Sequence, residues 1–143
     1  MNWKEHYNFL EQLYQKANVN ENVFTHSKLI IDHKQAIINW PVDEKLFHAG
    51  NGLHGSIIFK LLDDAAYFAA ASVEKDYFLL TSGFHIHFYR PVDKGELTAK
   101  GTLIQLGKNH FEAKAELRNE KQKLIAEGQG TFLRSQKKWL DHA

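Results

Sequence analysis

The sequence predicts an α+β fold, an antiparallel sheet wrapped around one long central helix, with an extra helix at the N-terminus. Three observations carry this. An apolar stripe of helical period runs from about Gly55 to Ser72. From Tyr77 onward the pattern changes to a two-residue alternation of apolar and polar side chains. The connections between the later strands are too short to hold the crossover elements that parallel pairing needs. At 143 residues there is room for one domain. Hydrophobic residues at 43% and charged residues at 24% are the balance of a globular chain with a real core.

The expected organisation is an N-terminal helix over residues 1–20, a core over 25–134 and a tail over 135–143. Trp3, Tyr7, Leu10, Tyr14 and Ala17 recur at steps of three and four, which makes the first segment an amphipathic helix. Leu29-Ile30-Ile31 and Ala36 to Trp40 read as two strands joined near Asp32 to Gln35, and Pro41 closes that unit. A polar, glycine-bearing stretch from Val42 to Leu53 leads into the central helix. Phe84, Ile86 and Phe88 then alternate with His85, His87 and Tyr89 until Pro91. Leu97, Ala99, Gly101 and Leu103 alternate next. Phe111, Ala113, Ala115 and Leu117 alternate with Glu112, Lys114, Glu116 and Arg118, and a turn at Asn119 to Lys121 leads to a last strand through Phe132. The order α-β-β-α-β-β-β-β, with short late connections, predicts an antiparallel meander.

Composition excludes several functions. Eighteen Lys and Arg against 17 Asp and Glu leave a formal charge of +1, so no broad basic field exists for nucleic acid or anionic lipid. The absence of Cys rules out disulfides, thiolate nucleophiles and thiolate metal sites. The first residues lack the apolar core of a signal peptide. The longest apolar run, Ala65 to Ala71, is far below the ~20 residues of a membrane span. The expectation is a soluble, cytoplasmic protein.

On the central helix Ile57, Ile58, Leu61, Leu62, Ala65, Phe68 and Ala69 form the stripe that packs on the sheet. A second apolar strip, Phe59, Ala66 and Ala70 with Tyr67 at its edge, encloses Asp63. One sheet is not expected to cover both sides of a helix, so a partner subunit is expected over this strip. Asp64 lies four residues after Lys60, the spacing of an exposed ion pair, and reads as a solvated surface acid. Asp63 has no such cation. A carboxylate half-desolvated among alanines has a raised pKa, which suits a general base and equally describes a hydrogen-bonded interface acid.

Gly50-Asn51-Gly52-Leu53-His54-Gly55 spells G-x-G-x-x-G before a helix. A dinucleotide site also needs a strand entering the loop and a parallel strand after the helix, and neither is expected here. The helix start still offers unpaired N–H groups to a negative atom, such as a carbonyl oxygen gaining charge during acyl transfer.

Residues 48–91 resemble the active-site half of hotdog-fold acyl-CoA thioesterases of the PaaI type. The resemblance rests on His54-Gly55-Ser56 opening the long helix, on Asp63 eight residues after Gly55, and on Thr81 ten residues before Pro91. It implies the hotdog fold over about residues 25–134, with an acyl-CoA substrate and free coenzyme A and a carboxylic acid as products. No metal or separate cofactor is implied, because coenzyme A enters as part of the substrate. Asp63 would be general base on water, or nucleophile through a mixed anhydride. The Gly55 N–H would polarise the thioester carbonyl, and Thr81, from the neighbouring subunit, would hold the water or the carboxylate. The assembly implied is a homodimer or a homotetramer built as a dimer of dimers. Two positions depart from the family pattern. His48 stands where an amide is usual, which makes its role pH-dependent near pH 6–7. Ser56 replaces the second Gly and narrows the helix mouth, which bears on acyl preference more than on the reaction.

His54, Ser56 and Tyr67 are taken as lining the substrate, His54 chiefly as a hydrogen-bonding residue at the helix entry. His85 and His87 share one side of a strand about 7 Å apart, but no third ligand is in view. Arg134, Lys137, Lys138 and Lys108 are candidates for the coenzyme A phosphates and fit equally well as solvated charges. No G-x-S-x-G elbow occurs. Two alternatives stand beside the thioesterase. A hotdog dehydratase or hydratase of 3-hydroxyacyl thioesters would pair His48 with Asp63, but lacks the loop and spacing. A non-catalytic acyl-CoA-binding module would bind without turnover.

Overall fold

The computed structural model describes residues 1–142; Ala143, the end of the expected tail, lies outside the described residues. The chain runs α1 (Trp3–Lys16), α2 (Asn18–Asn22), β1 (Lys28–Asp32), β2 (Gln35–Pro41), a 3-10 turn (Glu44–Leu46), α3 (Gly55–Ala71), β3 (Tyr77–Phe88), β4 (Glu96–Leu106), β5 (His110–Arg118), β6 (Leu124–Lys138) and a closing 3-10 turn (Trp139–His142). The last strand thus continues beyond Phe132 to Lys138, and the Trp139 indole is buried, donating to the Glu74 carbonyl at 2.7 Å.

The local causes are readable. α1 starts at Asn2, whose side-chain oxygen accepts the Glu5 N–H at 2.8 Å, satisfying one orphan donor of the first turn. It buries His6, Leu10 and Tyr14, three consecutive turns of one face. The β1–β2 hairpin turns at Lys34, which takes a positive φ of 64°, while the Asp32 carboxylate accepts the His33 N–H. α3 is stopped at Ser72, whose hydroxyl donates to the Ala69 carbonyl and accepts the Lys34 N–H at 2.8 Å, locking the helix end to the hairpin.

All six strands join in one antiparallel sheet of order β1-β2-β4-β5-β6-β3. This corrects the simple meander. β4, β5 and β6 do run consecutively, but β3 lies beyond β6, and β4 pairs with β2. The physical reason is α3, which crosses the concave face and delivers the chain to the opposite edge. β3 gains a surface for Phe84 there: a Cβ at Gly128 or at Gly130 would come within 2.4 Å of the Phe84 ring, so the ring lies over two residues without side chains. The helix comes closest to the sheet at Gly101, where a Cβ would sit 2.0 Å from the Ala65 carbonyl oxygen.

The core lies between sheet and α3. Leu61, Leu62, Ala65 and Ala69 are fully buried, and Phe24 stacks on Trp40 at 4.5 Å. The second strip of α3 is more deeply covered than expected: Ala66 and Ala70 are buried by this chain alone, because α3 packs against all six strands and the His6 ring of α1 reaches its end, with Nε2 2.8 Å from the Ala71 carbonyl oxygen. Only Phe59, at 39% exposure, stays open on that strip beside Asp63. The two edges of the sheet differ. At β1, the Ile31 N–H donates to Glu11 of α1 at 2.9 Å, whereas β3 presents Leu80 and Phe88 more than half exposed. Among the described residues no helix is long and apolar enough to cross a membrane.

Candidate active site

Asp63 sits midway along α3, partly buried, facing β3. Its carboxylate accepts a hydrogen bond from the Thr81 hydroxyl at 3.1 Å. The two residues belong to the same chain, which corrects the expectation that Thr81 comes from a neighbour. The cause is local. The β3–β6 register slips at Ser82, between Thr81 and Gly83, so Thr81 pairs with Phe132 and turns toward the helix side. Burial lifts the Asp63 carboxyl to about 6; the neighbouring Asp64 charge pushes the same way, while the Thr81 bond and Lys60 oppose it. The acid is therefore poised to exchange a proton near neutrality.

Asp64 differs from its reading as a solvated acid. Its side chain is only 23% exposed and pairs with Lys60 at 2.5 Å. The Lys60 ammonium lies over the Phe24 ring at 4.7 Å, under the N-terminal segment that covers this side of α3. Burial raises the Asp64 carboxyl, against the pull of Lys60.

Asp63, Asp64, Thr81 and Tyr67 line a cavity of about 360 Å³ between α3, β3 and the N-terminal helices. Its other walls include Leu13, Tyr14, Ala17 and Asn20 of the N-terminal segment, with Phe78 and Trp139. Sequence reasoning missed these walls. The stripe of α1 was visible, but the surface it would face was not. Tyr67 is placed as expected, and its hydroxyl is already engaged, donating to the Leu79 carbonyl at 2.7 Å.

The second group of expected residues lies at the start of α3. His54 caps the helix, its Nδ1 accepting the Ser56 N–H at 3.0 Å. The Gly55 N–H keeps no acceptor among the described residues. A Cβ at Gly55 would meet only the Phe88 ring at 3.6 Å, ordinary contact, so the fold does not itself require glycine there. Ser56 is exposed beside it. His48 packs on Gly50 and Gly52, where added Cβ atoms would come within 3.1 and 3.2 Å of its ring. Its Nδ1 accepts the Gly50 N–H at 2.9 Å, which assigns the neutral ring's hydrogen to Nε2. Asn51, at φ 62°, closes the loop, and the His48 N–H donates to Gly52.

Eight residues of α3 separate Gly55 from Asp63, about 12 Å at 1.5 Å per residue. Asp63, with Thr81 bonded to it, thus stands far along α3 from Gly55, and His48 sits in the loop that precedes the helix. Arg134 is not free for a phosphate. It donates to buried Glu74 at 2.6 Å and to the Lys108 carbonyl at 2.9 Å, with Phe111 beneath it. Lys108, Lys137 and Lys138 are exposed.

Comparison with known proteins agrees with this architecture. Residues 50–126, over half the chain, match the model of the thioesterase superfamily, and the protein belongs to that family. The PaaI protein of the Escherichia coli phenylacetic acid degradation operon superposes with a TM-score of 0.82 at 21% identity, covering 94% of this chain and 96% of that one. A Haemophilus influenzae thioesterase gives 0.76 at 23% identity, covering 88% and 87%. Zebrafish thioesterase superfamily member 2 gives 0.78 at 18%, covering 90% and 96%. These likenesses establish the hotdog fold. A Saccharolobus solfataricus protein whose name carries the word esterase is 28% identical over 91 residues, 64% of this chain; the chain spans 61% of that relative's length.

Proposed function

We propose that the protein is an acyl-CoA thioesterase, hydrolysing an acyl-CoA thioester to a free acid and coenzyme A, with Asp63 as the catalytic carboxylate. The observation that carries this is Asp63 itself, a carboxyl lifted to about 6, held by Thr81 and facing an apolar cavity. Ionised Asp63 takes a proton from water, and the hydroxide oxygen attacks the thioester carbonyl carbon. The carbonyl oxygen gains negative charge against the Gly55 N–H at the positive end of α3, helped by the His48 Nε2–H. The carbon–sulfur bond then breaks, and the proton passes to the departing thiolate. Coenzyme A is substrate in this reading, and the chemistry asks for no metal.

The active unit is at least a homodimer, with Asp63 and Thr81 of one copy facing Gly55 and His48 of the next. The 12 Å separation within one chain supports this, as do the open edge of β3 and the exposed Phe59, Leu80 and Phe88 beside it. A dimer of dimers builds on the same unit. The reading places the protein in the cytoplasm, away from membranes and nucleic acid.

A panel of acyl-CoA thioesters with thiol detection tests the activity. Asp63→Asn is expected to lose about 10²–10⁴-fold in kcat/KM, and Gly55→Pro, which deletes the N–H, about 10²-fold or more. Mixing the two inactive variants after dissociation should restore about a quarter of wild-type activity, because half of the reassembled dimers carry one intact site of two. No recovery would overturn the shared site. Hydration of crotonyl-CoA without thiol release would overturn the thioesterase. Single turnover in ¹⁸O-water then separates the roles of Asp63: a general base puts ¹⁸O into the first product acid, whereas a nucleophile gives it a carboxylate oxygen.

A further inference from the structure

We propose a metal site that takes no part in the hydrolysis: a divalent transition-metal cation held by the Nε2 atoms of His85 and His87 on the outer face of β3. Side chains two residues apart on a strand stand about 7 Å apart at their roots. Here the two rings have converged to 4.8 Å between centroids, with 3.2 Å between the Nε2 atoms. Two imidazole nitrogens on a tetrahedral ion, each at 2.0–2.1 Å, are about 3.3 Å apart. The pair therefore already has the bite of such an ion. Without metal, one Nε2–H is shared with the other's lone pair; on binding, the ion takes that position and the donor ring's hydrogen moves by way of solvent to its own Nδ1, so that both rings ligate as neutral imidazoles and no net proton is released.

The surroundings suit a cation. Strand pairing sets Glu127 of β6 opposite His87 and Gln129 opposite His85. Tyr89 stacks on His87 and donates its hydroxyl to Glu127 at 2.7 Å, fixing both. His85, His87, Glu127 and Gln129, with Lys114 and Glu116 of β5, wall a cavity of about 280 Å³. Among the described residues no group of three or more His, Cys, Asp or Glu is arranged to hold a metal. The chain thus supplies two nitrogens, with Glu127 as the nearby anion and water in the remaining positions. Imidazole ligands select Zn²⁺, Ni²⁺ or Cu²⁺ over Mg²⁺ and Ca²⁺. The ion would bridge two neighbouring positions on one face of the strand that carries Thr81.

Titration calorimetry of the untagged protein with Zn²⁺ tests this. One ion per chain with micromolar affinity is expected, together with a higher Tm in the presence of the ion and no response to Mg²⁺. His85→Ala and His87→Ala should each weaken binding about tenfold or more. Tyr89→Phe, which releases Glu127, should tighten it a few-fold. All three positions are exposed, and circular dichroism checks that the variants fold. A double His variant that binds Zn²⁺ as the parent does, or equal binding of Mg²⁺, would overturn the site.

Discussion

Replacing Thr81 by Val keeps the shape and β-branching of the side chain and deletes one hydroxyl. That hydroxyl donates to Asp63 at 3.1 Å and is the bond that favours the ionised carboxylate, against burial and Asp64. A hydrogen bond to a charged group contributes roughly 1.5–3 kcal/mol, and Thr81 is exposed, which argues for the lower end. At 1.36 kcal/mol per unit, about 1.5 kcal/mol moves the carboxyl up by about one unit. Asp63 acts as base only when ionised, so kcat/KM should rise with pH through about 6 in the parent and through about 7 in Thr81→Val. The assay is thiol release from an acyl-CoA between pH 4.5 and 9, with Thr81→Ser as the control that retains the donor. A midpoint that stays in place or moves down would refute the reasoning.

Three further outcomes follow from the same geometry. Asp63 has a folded-state value near 6 against an ordinary 3.8, so its contribution to stability is complete below about pH 4 and is lost as pH rises through 6. Asp63→Asn removes that loss and should stabilise the protein above pH 6 by roughly 1–2 kcal/mol, read from urea midpoints across pH. Gly101→Ala drives a methyl into the Ala65 carbonyl, helix backbone that has no rotamer to yield, and should cost about 3 kcal/mol in the same unfolding assay. Arg134→Ala strands the buried Glu74 carboxylate and should cost about 2–3 kcal/mol, Arg134 being partly exposed. Its KM for acyl-CoA should stay within about twofold, whereas a phosphate-binding role would raise KM more than stability falls.

The elements were legible because their periods are unambiguous. Trp3 to Ala17, Gly55 to Ser72 and the alternation around Phe111 to Leu117 bury one face each, and that requirement is local. The loop glycines and His54-Gly55-Ser56 marked the helix start for the same reason: capping is a matter of three or four neighbouring residues. Asp64 shows the limit. Its spacing from Lys60 correctly predicted an ion pair, yet whether that pair is wet depends on Phe24 and Tyr14, which reach it only after α1 and α2 fold across α3. Thr81 shows another. Its distance from Pro91 was visible, but the bulge at Ser82 that turns it toward Asp63 belongs to the pairing with β6.

By itself, then, the order of residues determined which segments are helix or strand, where α3 begins, and that one acid stands among apolar neighbours on it. Short-range sterics and hydrophobic period suffice for that. Only the tertiary structure decided that β3 lies at the far edge of the sheet, that Ala66 and Ala70 are covered without a partner, that Arg134 serves Glu74, and that the N-terminal helices wall the cavity beside Asp63. Each of these depends on which distant surfaces come to rest against one another, and burial, not spacing, sets the charge and reach of the groups involved.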